Sequence, residues 1–207
     1  MRLKFICLLC LLTPITIVFG QSLPNNDSDY LDNLNTITSA VPFLTITPDS
    51  RAGAMGEVGA ATTADIHSLH WNPAKLAFLN DRSGLGMSYT PWLSRLVPDI
   101  SLTYLTFYNK INDNSTWSTS LRYFSLGNIT FTNEAGDVLA NVTPNEYAFD
   151  LGYAMKLNSN FSGGLAMRYV YSNLTGGERN IGGYDTEPGR AFAVDLSTYY
   201  ESDFIDN

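Results

Sequence analysis

Two consecutive stretches, Glu146-Tyr-Ala-Phe-Asp-Leu-Gly-Tyr-Ala-Met-Lys-Leu157 and Phe161-Ser-Gly-Gly-Leu-Ala-Met-Arg-Tyr-Val-Tyr-Ser172, decide the fold class. In the first, Tyr147, Phe149, Leu151, Tyr153, Met155 and Leu157 fall on one face of an extended chain. Glu146, Ala148, Asp150, Gly152, Ala154 and Lys156 fall on the other. In the second, Phe161, Gly163, Leu165, Met167, Tyr169 and Tyr171 alternate with Ser162, Gly164, Ala166, Arg168, Val170 and Ser172. Side chains of a strand point alternately to its two faces, so this period of two predicts half-buried strands. Each run has the length of ~9–11 residues or slightly more that a tilted strand needs to cross a bilayer.

The same pattern extends outward in both directions. Phe192, Val194, Leu196 and Tyr200 alternate with Ala193, Asp195 and Ser197; Trp117, Leu121 and Tyr123 with Ser118, Ser120 and Arg122; Leu85, Met87 and Tyr89 with Gly84, Gly86 and Ser88. Residues 100–109 are mixed, with Leu102 and Tyr104 on one face and Leu105 and Phe107 on the other. Six strands are predicted, at about 84–90, 100–109, 116–126, 146–157, 161–172 and 191–200. A soluble β-sandwich also alternates. Here the apolar face gathers Tyr and Phe toward strand ends, as interfacial girdles do, and the opposite face is small or charged, as suits a watery lumen. The predicted class is all-β, the N-terminal part of an antiparallel transmembrane β-barrel.

Connection lengths fit that class. Residues 110–115 and 158–160 are short, whereas 90–99, 127–144 and 173–190 are long and the last two are rich in Gly and Pro. Outer-membrane barrels pair short periplasmic turns with long external loops. A three-residue hairpin loop at Asn158-Ser159-Asn160 sets Leu157 opposite Phe161 and therefore Asp150 opposite Arg168, Tyr147 opposite Tyr171 and Phe149 opposite Tyr169. Arg122 and Asp195 on flanking strands extend this to an expected lumen charge ladder, Arg122–Asp150–Arg168–Asp195, whose role is wall rigidity. Bacterial barrels start at eight strands and lipid offers no partner to an open sheet edge. Six strands in 207 residues therefore predict either a piece of a longer chain or a wall shared by several copies.

The N-terminal portion is organised differently. Arg2 and Lys4 precede the apolar run from Phe5 to Phe19, and Val18 and Gly20 suit a cleavage site, so residues 1–20 are expected to be a signal peptide. Both cysteines, Cys7 and Cys10, lie within it. Residues 21–40, rich in Asn and Asp, are expected to be a flexible periplasmic leader. Residues 41–83, rich in Gly and Ala with a short helical stretch near 65–78, are expected to form a small plug or hatch inside the wall.

Composition excludes several classes. Acidic residues outnumber basic ones 20 to 12, for a net charge of −8. No basic patch is available to neutralise phosphates, which argues against nucleic-acid binding. Charged residues are only 15% and aromatic residues 13%, which argues against disorder. His67 and His70 at i, i+3, with Asp65 nearby, do not complete a zinc ligand set and are expected to serve in packing. Gly53-x-x-Gly56-x-x-Gly59 lacks the spacing of a dinucleotide fingerprint and is read as tight backbone turns. No nucleophile-elbow motif is present, no cofactor or metal is expected, and no residue pattern points to catalysis.

Five ordered segments add a resemblance. The run from Val41 to Ala60 (VPFLTITPDSRAGAMGEVGA) resembles the N-terminal signature of the PorV (LptO) family, outer-membrane proteins of the type IX secretion system of Bacteroidetes. The runs from His70 to Lys75, Ser88 to Leu93, Ser120 to Gly127 and Pro144 to Asp150 are similar in the same order. The Asn-Pro-Ala element within the second recurs across fatty-acid-transporter-like barrels; the ordered set is what is specific. The resemblance implies a barrel of about fourteen strands of that type, partly plugged by a segment carrying Arg51, Gly53, Gly56, Gly59, Trp71, Asn72 and Pro73. It implies a bacterial outer-membrane location amid outer-membrane lipid. The implied partners are the type IX translocon barrel, cargo proteins with C-terminal signal domains, and the surface attachment machinery. Some members are linked to O-deacylation of lipid A, which needs a nucleophile and a base near the outer leaflet, where neither His67 nor His70 is expected. A hydrophobic-solute channel is the alternative expectation, with Leu105 or Phe107 contributing to an apolar lumen.

Overall fold

A computed structural model describes residues 41–92, 99–132, 135–176, 180–181, 184–185 and 187–202 of the 207. The expected signal peptide and leader, residues 1–40, lie outside the described residues.

The chain folds into a six-stranded antiparallel sheet of β1 (Ser83–Pro91), β2 (Ser101–Asn112), β3 (Ser115–Ser125), β6 (Asn145–Lys156), β7 (Phe161–Asn173) and β10 (Gly189–Tyr200), in that spatial order. Each predicted strand is present, with ends within about three residues of expectation, the usual uncertainty of strand boundaries. Two long connections each carry a small hairpin that period-two alternation does not predict. These are β4 (Ile129–Thr132) with β5 (Val138–Val142), and β8 (Asn180–Ile181) with β9 (Tyr184–Asp185). Because both hairpins stay off the main sheet, strands adjacent along the meander are adjacent in space, as in an up-and-down wall. Among the described residues no helix is long and apolar enough to cross a membrane, which says nothing of strands.

Register follows the hairpin argument. The Leu157 amide donates to Phe161 O at 2.8 Å, and Asp150 pairs with Arg168, Tyr147 with Tyr171 and Phe149 with Tyr169. Within the turn, Asn158 Oδ1 accepts from the Ser159 amide at 2.7 Å.

Alternation sorts the wall into two faces. Leu85, Met87, Leu105, Leu121, Phe149, Leu151, Tyr153, Met167, Val194 and Leu196 are exposed on the outer face. A single register row crosses it through Tyr89, Thr103, Tyr123, Tyr147, Tyr171 and Arg190. Tyr147 and Tyr171 stack at 4.8 Å, and the Arg190 guanidinium lies 5.8 Å from the Tyr171 ring centre. The inner face carries Leu102, Tyr104, Thr106, Ser118, Ser120, Arg122, Ala148, Asp150, Ala154 and Ala166, all buried.

What buries them is the segment before β1. It runs through a 3₁₀ turn (Pro42–Thr45), helix α1 (Ser50–Ala54), helix α2 (Ser68–Trp71) and a second 3₁₀ turn (Pro73–Phe78). The helical stretch predicted near 65–78 is therefore two pieces. Asn72 is extended (φ −155°, ψ 99°), as a residue before proline tends to be, and that breaks the helix before Pro73. The core lies between segment and wall in two clusters. Leu69, Leu76, Ala77 and Leu79 meet Tyr108, Ala154 and Ala166; Phe43 meets Leu102, Phe124, Ala148 and Val170. Small wall residues allow this approach: a Cβ built on Gly164 would sit 2.4 Å from the Ala74 backbone nitrogen.

Candidate functional site

The inner wall and the segment docked on it bring together most of the residues singled out by sequence. α1 is capped by Asp49, whose Oδ1 accepts from the Ala52 amide at 2.7 Å, satisfying a donor the short helix leaves free. The other Asp49 oxygen accepts from Trp71 Nε1 at 3.0 Å. Trp71 in turn covers Gly59, where a Cβ would fall 2.2 Å from the indole ring; only glycine fits there. Arg51 is exposed and pairs with Asp65 at 3.2 Å. Gly53 lies within α1, and Gly56 takes a left-handed φ of 79° in the turn after it.

Asn72 and Pro73 join the segment to the far strand. Asn72 Oδ1 caps the 3₁₀ turn by accepting from the Ala74 amide at 3.1 Å. Its Nδ2 donates to Ala60 O at 3.2 Å and to Thr198 O of β10 at 3.1 Å. Pro73 opens the turn and is buried, a position where the missing N–H costs nothing. Beside it Lys75 is fully buried, donating to Gly59 O at 2.7 Å and Thr62 Oγ1 at 3.0 Å. Burial pushes its ammonium below the usual lysine range, partly offset by Asp65.

The expected charge ladder is three-membered. Arg168 Nε donates to Asp150 Oδ1 at 2.5 Å, and Arg168 Nη1 lies 3.8 Å from Asp195 Oδ2. Asp150 also accepts from Ser120 Oγ at 3.0 Å. Arg122 does not join it: on β3 it pairs with Ala148, not with Asp150, and among the described residues it makes no ion pair. The reason is register. Asp150 lies opposite Ser120, two positions along from Arg122, and its oxygens are already taken by Ser120 and Arg168.

Arg122 instead clasps the docked segment. It is fully buried; Nη1 donates to Leu44 O at 3.0 Å and Nη2 meets His70 Nδ1 at 2.5 Å. Its guanidinium lies 5.5 Å from the Tyr104 ring centre, while Nε has no hydrogen-bond partner among the described residues. A guanidinium only donates, so His70 must present a bare Nδ1 and carry its proton on Nε2. Burial, then Arg122, Arg168 and His67, push the His70 imidazole down to about 2. No sequence signal marks this contact, because a carbonyl and a histidine far from β3 along the chain supply both acceptors.

Leu105 and Phe107 are on the outer face, opposite the side that the segment covers, so the apolar lumen expected of them is corrected; Leu102 and Tyr104 are the residues of β2 that face inward. An apolar groove on the outer face is lined by Trp117, Leu151, Gly152, Tyr153, Leu165 and Met167.

No curated protein matches the chain. The sequence model of one family, described as type IX secretion system protein PorV, matches residues 29–206.

Proposed function

The chain belongs to the PorV family of type IX secretion system proteins, and from that premise we propose that it is a wall-forming outer-membrane component that binds cargo with C-terminal signal domains. In this reading it engages the translocon barrel and passes cargo to the surface attachment machinery. The observation that carries the membrane part is the outer face: apolar residues on every strand of the main sheet, bordered by the tyrosine row. Lipid is the solvent that such a face suits, because in water a continuous apolar patch of this extent marks an interaction surface. The docked segment, residues 41–83, acts as the plug, and the ion pairs among Asp150, Arg168 and Asp195 stiffen the wall beside it. The connections 127–144 and 173–190 are the external surfaces offered to partners. The chemistry is recognition and transfer, without bond making.

The test is genetic. Removing the gene from the bacterium that encodes it is expected to leave proteins with C-terminal signal domains in the periplasm. Restoring it returns them to the surface. Normal export and anchoring in the deletion strain would sink the proposal.

A further inference from the structure

We propose that Arg122, His70 and the Leu44 carbonyl form a proton-releasable latch that holds the segment before β1 against the inner wall. The inference goes beyond the secretion role and does not depend on it.

One wall side chain gathers two points of the segment that are 26 positions apart in sequence, Leu44 in the first 3₁₀ turn and His70 in α2. Both acceptors are neutral. The guanidinium is fully buried and has no carboxylate partner among the described residues, so the latch is its main compensation for lost water. A proton on His70 Nδ1 would remove the acceptor and place a second cation against the first.

Among the described residues the surroundings offer that cation no relief. From β3 His70 is faced by Arg122, from β7 by Arg168, and from its own helix by His67. Tyr104 of β2 lies against both His67, with ring centres 5.8 Å apart, and the Arg122 guanidinium. Asp150 of β6 is engaged by Arg168 and Ser120. Trp71 contributes an aromatic edge at 4.7 Å and is held by Asp49. Lys75, in the following turn, is spent on Gly59 O and Thr62. The docked state therefore admits only neutral His70, whereas a released His70 in water titrates near the ordinary ~6.5. Below that pH the released state binds the extra proton, and the docked state is progressively disfavoured.

Amide hydrogen exchange on the full chain in detergent micelles tests this. The reporters are the amides of His70 and Asn72, which donate to His67 O and Ser68 O within α2. After correction for intrinsic exchange rates, their protection is expected to fall about 30-fold between pH 7.5 and 5.0, the ratio set by one proton titrating at ~6.5. H70Q keeps a neutral acceptor and is expected to change less than about threefold, while H67Q keeps the wild-type fall. Unchanged protection in the wild type, or a fall in H70Q as steep as in the wild type, overturns the latch. Should H70Q not fold, the imidazole ¹⁵N spectrum of the wild type decides. A bare Nδ1 in the docked state at pH 7.5 and 5.0 supports the proposal; a doubly protonated ring in the docked state at pH 5.0 overturns it.

Discussion

Asp150 and Arg168 stand directly opposite each other across β6 and β7, bonded through Oδ1 and Nε, with the carboxylate side chain fully buried and the guanidinium side chain 14% exposed. Removing one partner of such a pair leaves an uncompensated charge beside the core. We expect D150N to destabilise the fold by about 3 kcal/mol, reduced somewhat because Asp195 still faces Arg168 at 3.8 Å. The double variant D150N/R168M is expected to recover most of that loss. Denaturant unfolding of the four proteins of the cycle measures it, and a D150N variant as stable as wild type would contradict the assignment.

Adjacent glycines on β7 should respond differently to alanine. At Gly164 the new Cβ meets the Ala74 nitrogen at 2.4 Å and the Pro73 carbonyl carbon at 2.7 Å, backbone atoms that cannot yield; at Gly163 the nearest atom is Leu157 Cδ1 at 3.7 Å. G164A is expected to cost ~1–3 kcal/mol by overpacking and to expose residues 73–78 to protease while the sheet persists. G163A is expected to match wild type. Equal protease resistance in the two variants would show that the turn is not seated on the wall.

Depth on the outer face should set the cost of a charge. Leu151 lies midway along β6, whereas Tyr171 lies near the end of β7. For folding into phospholipid vesicles, L151R is expected to cost ~2–4 kcal/mol and Y171R ~0–1 kcal/mol. Similar small costs at both sites would argue that this face does not meet lipid.

Asn72 combines a cap with a tie to β10, and two variants separate the roles. N72A loses every bond and is expected to lose about 1–2 kcal/mol of stability. N72D retains the acceptor for the Ala74 amide but not the donors to Ala60 O and Thr198 O, and should fall between N72A and wild type. If N72A lies within about 0.5 kcal/mol of wild type, as ordinary surface changes do, the tie contributes nothing.

Much of this architecture was legible in the chain itself. Strand positions followed from period-two alternation, because successive side chains point to opposite faces and the two faces here differ, large and apolar on one side, small, polar or charged on the other. The pairing of Asp150 with Arg168 followed from a three-residue loop, because a hairpin's register is set by its turn. Arg122 shares the inner face with Asp150, which is why alternation suggests it for the ladder, yet facing is not touching, and a neighbouring serine holds the nearer position. The β4–β5 and β8–β9 hairpins carry no clear period-two signal, because their strands are short and lie among turn residues.

The amino-acid sequence alone determined the class of the wall, the direction each strand residue points and the order of strands, since all three rest on local periodicity and short connections. Only the tertiary structure decided what covers the inner face and which groups meet there. His70, Leu44 and Arg122 lie far apart along the chain, and their contact depends on how closely the turn from Pro73 to Phe78 approaches Gly164 and on which carboxylates are already engaged. Those are packing distances in three dimensions, and no periodicity in one dimension encodes them.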